Sequence, residues 1–133
     1  MSSANTENIH LPASASTPLV DFRFDAHQLR LEGESYPENA AAFYGPLAEG
    51  LKAYVAGLQG GEQVEVHVAL SYFNSSSTKM LFGLFDTLNQ AAEQGHRIAL
   101  HWYHDKEDDI AEEFGEELHV DFPALAFHAH PAD

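Results

Sequence analysis

The stretch Gln63–Leu88, QVEVHVALSYFNSSSTKMLFGLFDTL, changes its hydrophobic period partway along. Its first half alternates apolar and polar side chains, as a β-strand does when its two faces meet different environments. Its second half places apolar side chains three or four residues apart, the spacing of a helix that buries one face. The stretch therefore predicts a strand that passes directly into a helix, the unit from which α/β folds are built. The side chains predicted to share one face are Val64, Val66, Val68, Leu70 and Tyr72 in the strand, and Leu81, Leu84, Phe85, Leu88, Ala91 and Ala92 in the helix.

Upstream of this stretch, the sequence predicts a β-hairpin and then a helix. Leu19–Phe24 and Gln28–Leu31 are short β-type runs joined by a short polar connection, which is typical of a hairpin. The helix is predicted to follow at SYPEN, where Ser35 and Glu38 fit the S-x-x-E capping box. Pro46 predicts a kink or a short first segment within that helix.

Downstream, Arg97–His104 predicts another strand, and Asp105–Leu118 predicts a short acidic helix with Ile110, Phe114 and Leu118 on its apolar edge. A last strand is predicted around Pro123–His128. The order β-β-α-β-α-β-α-β favours an α/β domain over residues 18–133, with a mixed sheet of about four to five strands and helices packed on it. Residues 1–17, rich in Ser, Ala, Asn, Thr and Pro, are predicted to be partly flexible.

The composition narrows the classes of function. The chain of 133 residues carries 21 acidic and 6 basic residues, a formal charge of −15, which disfavours binding to nucleic acid or to an anionic membrane. The charge fits either a solvated surface or a surface that docks a basic partner. No apolar run reaches membrane-spanning length, and the first residues lack the basic and apolar regions of a signal peptide, so we expect no membrane insertion and a cytoplasmic location.

Histidines and carboxylates are the candidates for a metal site or for catalysis. His101 and His104 lie three residues apart in a predicted strand and therefore face opposite sides, whereas His128 and His130 can share a face. The carboxylates of 105–117 do not follow the spacing of a calcium loop, and the sequence contains no H-E-x-x-H helix, G-x-S-x-G elbow or Walker loop. We therefore expect no metal, no cofactor and no enzymatic activity. A small acidic hydrolase or binding protein that uses histidines and carboxylates is the alternative from another class.

The polar run YFNSSSTK, residues 72–79, marks the candidate site. Asn74 or Ser75 can cap the following helix by accepting hydrogen bonds from its first N–H groups. The positive end of the helix dipole also accommodates an anion there. A phosphate on one of these hydroxyls would add roughly −1.5 to −2 charges without opposing the helix, so its effect would fall on a partner that binds this surface.

Three segments together resemble the SiaC family of bacterial regulatory phosphoproteins. They are LRLEGESYPENAAAFYGPL (29–47), VALSYFNSSSTKMLFGLFDTL (68–88) and GHRIALHWYHDKEDDIAEEFGEEL (95–118). The resemblance runs from roughly Ile9 to about His130. Its specificity comes from the combination of SYPEN with Y-x-N-[ST]-S-S-x-K.

The resemblance implies a fold similar to STAS domains, which include the anti-sigma-factor antagonists, and a partner-switching cycle. In that cycle a dedicated serine/threonine kinase phosphorylates the protein and a PP2C-type phosphatase dephosphorylates it. The unphosphorylated form binds and activates a diguanylate cyclase (a GGDEF protein), which raises cyclic di-GMP and promotes aggregation or biofilm formation. An anti-sigma-factor antagonist that acts on transcription is the alternative within this signalling class.

Matched to this chain, the family pattern places the phosphate on Ser75, directly after Asn74, with Ser76, Ser77 and Thr78 as competing acceptors. The resemblance and the position of the run together predict partner contacts around it, from Tyr72, Phe73, Asn74, Ser76, Ser77, Thr78 and Lys79. The motif residues Tyr36, Pro37, Glu38 and Asn39 receive no assigned role.

Overall fold

Six strands form one sheet in the order in which they occur in the sequence. In the computed structural model, which describes residues 7–132, they are β1 (Ile9–Leu11), β2 (Leu19–Arg23), β3 (Gln28–Ser35), β4 (Gln63–Phe73), β5 (Arg97–Asp105) and β6 (Ala126–Ala132). The neighbouring pairs β1–β2 and β2–β3 are antiparallel, and β3 to β6 run parallel. The predicted α/β class, the mixed sheet and the hairpin are confirmed.

The sheet contains one strand more than predicted. The additional strand is β1, which pairs with β2 from Ile9↔Phe22 to Leu11↔Val20. Three residues are too few to show a period in the sequence, so the strand is recognised only by its partner. It lies within the segment 1–17 for which flexibility was predicted. Residues 1–6 of that segment lie outside the described residues.

Three α-helices connect the parallel strands: α1 (Ala40–Ala56), α2 (Ser75–Glu93) and α3 (Asp109–Asp121). A single 3-10 turn, Phe24–Ala26, joins β2 to β3. Right-handed crossovers between strands that are added in one direction put all the connecting helices on one face of the sheet. That face and the helices share one core, which includes Val64, Val66, Val68, Leu81, Phe85, Trp102, Phe114 and Leu118. None of the described helices is long and apolar enough to cross a bilayer.

The predicted capping box at the start of α1 is wrong. Asn39 is the N-cap, and its side-chain oxygen accepts a hydrogen bond from the Ala42 N–H at 3.0 Å. Ser35 is instead the last residue of β3 and is fully buried. Pro37 supplies the physical reason, because the residue before a proline is held in an extended conformation and the helix begins only after it. Pro46 lies inside α1 and does not divide the helix.

The predicted apolar edge of α3 is wrong at one position. Asp108 caps the helix by accepting a hydrogen bond from the Ala111 N–H, so α3 begins later than the sequence pattern suggested. Ala111, Phe114 and Leu118 face the core, whereas Ile110 is 74% exposed. Phe114 lies four residues after Ile110 and three after Ala111, and either spacing fits a helical period. Packing against Trp102 decides which is buried, because its indole N–H donates to the Ala111 carbonyl at 2.8 Å.

The last strand begins later and extends further than predicted. Its residues are Ala126–Ala132, and all of them pair with β5, from Ala99↔Ala126 to Asp105↔Ala132. The segment that precedes it is a turn in which the Leu125 N–H donates to the Phe122 carbonyl. A proline at the end of an edge strand is tolerated, since its missing N–H can be on the unpaired side.

The contact between α3 and β5 generates a prediction about two glycines. A Cβ atom at Gly115 would lie 2.7 Å from Cδ1 of Trp102, whose ring is held by its hydrogen bond to α3. A Cβ at Gly83, on the exposed side of α2, would meet no atom within 4 Å. We expect Gly115→Ala to lower the free energy of unfolding by about 1–3 kcal/mol through overpacking. Gly83→Ala should raise it by about 0.5–1 kcal/mol.

Urea denaturation followed by circular dichroism measures both values. Equal effects of the two substitutions would contradict the close contact between α3 and Trp102.

Candidate functional site

The candidate site lies where β4 passes into α2, at the carboxyl end of the parallel strands. Asn74 is the N-cap of α2, and its side-chain oxygen accepts a hydrogen bond from the Ser77 N–H at 2.9 Å. Its main-chain carbonyl accepts from the Thr78 N–H at the same distance. The predicted cap, Asn74 or Ser75, is therefore Asn74, and Ser75 is the first residue of the helix.

The four hydroxyl groups of the run occupy different environments. Ser75 and Ser76 are exposed, whereas Ser77 is fully buried. Thr78 is partly buried, and its hydroxyl donates back to the Asn74 carbonyl at 3.1 Å. Only Ser75 and Ser76 therefore present free-standing hydroxyls to a second protein.

A buried network of hydroxyl groups holds the first turn of α2 against the end of β3. The Ser77 hydroxyl donates to the Ser35 carbonyl at 2.9 Å, and the Ser35 hydroxyl donates to the Ser77 oxygen at 2.8 Å. The Tyr44 hydroxyl lies 2.5 Å from the Ser35 oxygen. Because Ser35 has already used its one proton, Tyr44 must be the donor in that bond. All three side chains are fully buried.

Burial keeps Tyr44 in its neutral form, because it raises the pKa of the phenol, and the neighbouring Ser35 and Ser77 hydroxyls offset this only in part. A neutral phenol retains the proton that the Ser35 oxygen accepts. The network thereby joins β3, α1 and α2 through uncharged groups, which avoids the cost of an ion in the core.

Ser35 and Tyr44 were not predicted from the sequence to belong to this site. Ser35 resembled a helix cap, and Tyr44 resembled one more aromatic residue of an amphipathic helix. Their partner, Ser77, is 42 residues away from Ser35 in the sequence. No local pattern signals a contact at that separation. The only signal available was the presence of polar side chains at positions that the helical and strand periods would bury.

The prediction that Tyr72 points the same way as Val64, Val66, Val68 and Leu70 is wrong. The register with β3 shifts there, because Gly33 pairs with Leu70 and Glu34 pairs with Tyr72, leaving Ser71 as an extra residue. Such a bulge moves the following side chains to the other face. Tyr72 is consequently 52% exposed. Phe73 turns inward and contacts the rings of Trp102 and Phe114.

The bulge brings Tyr72 beside a residue of the SYPEN motif. The rings of Tyr36 and Tyr72 meet edge to face at 5.6 Å, and both are exposed. The Tyr36 N–H donates to the Ser16 carbonyl at 2.8 Å, which anchors this segment. Pro37 is buried and Glu38 is exposed. The two sequence motifs, far apart in the chain, thus form one exposed aromatic pair next to the start of α2.

Lys79 lies one turn after Ser75 on α2 and is exposed. Residues four apart share a helix face, so its ammonium group can reach a charge carried by the Ser75 side chain. The residue in the same relation to Ser76 is Met80, which is partly buried and packs against the core. Ser75 therefore has a positively charged side chain one turn further along the helix, whereas Ser76 has an uncharged one.

The histidines are arranged differently from a metal centre. His101 is partly exposed on the helix-free face of the sheet, while His104 is largely buried, as their spacing predicted. His128 and His130 lie on the same face as His101. Within residues 7–132, no group of three or more His, Cys, Asp or Glu side chains is placed to hold a metal ion.

Comparison with known proteins places the chain in a family. Residues 11–132 match the SiaC family regulatory phosphoproteins, which is nearly the whole sequence. The chain belongs to the SiaC family. A relative from Pseudomonas aeruginosa (strain UCBPP-PA14), described as an uncharacterized protein, is 31% identical over 125 residues, which is 92% of this chain and 97% of the relative.

Solved SiaC structures share the fold described above. The apo-SiaC crystal structure from Pseudomonas aeruginosa has a TM-score of 0.84 at 28% identity, covering 93% of this chain and 98% of that one. A second similar structure from the same organism is the diguanylate cyclase SiaD in complex with its activator SiaC. Its TM-score is 0.85 at 28% identity, with 93% of this chain and 99% of that chain covered.

The buried hydroxyl network predicts unequal effects of removing two tyrosine hydroxyls. Tyr44→Phe removes a buried hydrogen bond and should lower the free energy of unfolding by about 0.5–1.5 kcal/mol. Tyr72→Phe removes an exposed hydroxyl of the same kind and should change it by less than about 0.5 kcal/mol. Denaturant unfolding of the two variants compares their free energies of unfolding. The two substitutions remove the same group and differ only in whether that group is buried. If Tyr44→Phe were as harmless as Tyr72→Phe, the network would not stabilise the fold.

Proposed function

We propose that this SiaC family member is a regulator that binds and activates a diguanylate cyclase, and that phosphorylation of Ser75 switches this binding off. The observation that carries the proposal is the pairing of an exposed hydroxyl at a capped helix N-terminus with an exposed aromatic pair beside it. The similar SiaC that is solved as an activator in complex with a cyclase supports the identity of the partner.

Ser75 is the proposed phosphate acceptor because the alternatives are less suitable. Phosphorylation of Ser77 would require a fully buried hydroxyl to leave two hydrogen bonds. The hydroxyl of Thr78 is bonded to the helix cap. Ser76 is exposed, but it lacks a lysine one turn further along the helix. Ser75 also occupies the position after the asparagine that the family resemblance assigns to the modified residue.

A phosphate on Ser75 would leave the fold intact. The first-turn N–H groups and the positive end of the α2 dipole favour an anion at this position, and the Lys79 ammonium adds a countercharge. The consequence of phosphorylation would therefore appear in the complex. An interface that buries the neutral Ser75 hydroxyl would have to bury roughly −1.5 to −2 charges instead, which costs enough free energy to abolish binding.

Tyr36 and Tyr72 are the proposed anchors of the cyclase interface. Tyrosines bury a large area and lose little rotamer entropy, and they are common among the residues that dominate binding energy. Their rings already contact each other in the free protein. This contact reduces the ordering cost of association.

The protein acts, in this proposal, by binding rather than by catalysis. The described histidines with side-chain partners bond to Tyr54, Tyr103, Gln28, Glu65 and one another, so their hydrogen bonds do not prepare a base for Ser75. A serine/threonine kinase and a PP2C-type phosphatase complete the proposed cycle as partners. The proposed location is the cytoplasm, where the kinase and the nucleotide substrates of a cyclase are found together.

The charge at position 75 should control binding to the cyclase. We expect Ser75→Ala to bind the cyclase like the wild type, and Ser75→Glu to bind at least ten times more weakly because a carboxylate would be desolvated in the interface. Gln90→Glu is the matched control, since it adds one negative charge at the other end of the same helix. Calorimetry with the purified cyclase, together with its rate of cyclic di-GMP formation, measures both effects.

Equal affinities of Ser75→Ala and Ser75→Glu would contradict the switch. Phosphopeptide mapping after incubation with the cognate kinase is the second measurement, and modification confined to Thr78 or to the N-terminal segment would contradict the choice of Ser75. Capture of an anti-sigma factor instead of a cyclase would point to the transcriptional alternative.

The aromatic pair should contribute to binding independently of the phosphate. We expect Tyr36→Ala and Tyr72→Ala each to weaken cyclase binding by about tenfold or more, as the loss of an interface anchor does. Ile110→Ala and Val120→Ala are matched controls, because these side chains are 74% exposed but lie on α3. Loss of affinity in the α3 variants and not in the tyrosine variants would contradict the proposed anchors and place the interface on α3.

A further inference from the structure

A row of ionisable side chains crosses all six strands on the helix-free face of the sheet. Each member of the row is the direct register partner of the next member on the neighbouring strand. Its members, from β1 to β6, are His10, Asp21, Arg30, His67, His101 and His128. On the helix side of the central strands most side chains are apolar and buried, so this alignment is confined to one face.

The half of the row on β4, β5 and β6 is a stack of imidazole rings. The rings of His67 and His101 are stacked at 4.8 Å, and those of His101 and His128 at 5.0 Å. His130, two residues further along β6, lies 5.1 Å from His101 and stacks on Tyr103 at 4.6 Å. We call His67, His101, His128 and His130 the histidine stack.

Hydrogen bonds in the stack determine where its protons lie. Glu65 accepts a hydrogen bond from Nε2 of His101 at 2.6 Å, and a carboxylate can only accept, so Nε2 carries a proton. Nδ1 of His101 lies 2.9 Å from Nε2 of His130. One proton between these two nitrogens makes a hydrogen bond that joins β5 to β6. When both rings are protonated, two N–H groups face each other and the bond is lost.

We propose that the histidine stack is a proton-sensitive joint, which holds the edge strand β6 to the sheet near neutral pH and loosens it when the stack takes up protons. β6 is suited to this role because it has a neighbour on one side only and most of its side chains are exposed. An edge strand with little buried surface opens at a lower free energy than the central strands do. A small electrostatic change at β6 can therefore open this strand while the central strands stay closed.

The charged surroundings oppose more than one proton on the stack. Glu65 is the single carboxylate among the described residues that bonds to it, and it offsets one positive charge on His101. Arg30 lies opposite His67 in the register of β3 and β4 and already carries a positive charge. Its guanidinium group forms an ion pair with Glu32 at 2.6 Å. The groups that face the stack are Arg30 on β3, Glu65 on β4, Tyr103 on β5, and the other histidines on β4, β5 and β6. The connecting helices lie on the other face of the sheet and contribute none.

The shifts in pKa agree with this geometry. Burial, followed by the charges of Arg30 and His101, lowers the pKa of His67 below its usual value. Burial, followed by the charges of His101 and His128, lowers the pKa of His130. Below a pH of about 6.5, the unfolded chain thus binds more protons at these positions than the folded protein does, and stability falls as the pH falls. The pKa of Glu65 is also lowered, but that contribution is lost only at a pH below its unfolded value of 4.5.

Hydrogen exchange of the backbone amides tests the joint between pH 7.5 and pH 5.5, a window that excludes Glu65. Protection factors remove the intrinsic pH dependence of exchange. We expect the protection of the β6 amides to fall by about tenfold or more at pH 5.5, while the protection of the β4 amides falls by a smaller factor. In His130→Gln, the amide side chain can still bond to His101 but cannot become charged, so most of the loss should disappear.

Two further variants make the test specific. His128→Gln removes one stacked imidazole without touching the His101–His130 bond, and it should reduce the loss of β6 protection in part. His10→Gln makes the same substitution at the β1 end of the row and should leave the loss of β6 protection unchanged. Equal protection of β6 at the two pH values would overturn the proposal. So would a loss in His130→Gln as large as that in the wild type.

Discussion

The carbonyl oxygen of Ser35 accepts two hydrogen bonds, from the Asn74 N–H and from the Ser77 hydroxyl, and the geometry of the candidate site depends on them. They tie the end of β3 to the start of α2 across the parallel pair β3–β4. Tyr44 completes the connection from α1. Since the three side chains are fully buried, removing any partner would break a buried hydrogen bond, a cost that holds the arrangement in one conformation. The first turn of α2, with its exposed serines, is consequently presented in one orientation.

The cap and the proposed switch use the same local structure. A helix N-terminus needs hydrogen-bond acceptors, which explains the asparagine and the run of hydroxyl residues. It also favours negative charge, so a phosphate can be added there without unfolding the protein. The division of labour within the run follows from helical geometry. Ser77 points into the core and stabilises the site, whereas Ser75 points outward and is available to another protein.

The two faces of the sheet serve different purposes because all three helices cross on one side. The covered face supplies the hydrophobic core. The other face carries polar side chains, and on its parallel strands identical residue types meet in register, which creates the histidine stack. A formal charge of −15 makes the surface as a whole repel anions, whereas this face brings Arg30 and the histidine stack together. A fold with helices on both faces would have buried these groups.

Features that depend on neighbouring residues could be predicted from the sequence. The strand-to-helix transition at Asn74, the hairpin and the apolar stripe of α2 all follow from residues close together in the sequence, because hydrogen bonds within a helix and side-chain alternation along a strand are local. The family follows from several such local motifs taken in combination. Only the tertiary structure decided the rest. The burial of Ser35 and Ser77 together, the outward turn of Tyr72 beside Tyr36, the exposure of Ile110 and the meeting of His67, His101 and His128 all depend on strand register, bulges and helix packing. Those arise from contacts between segments tens of residues apart, which no local period encodes.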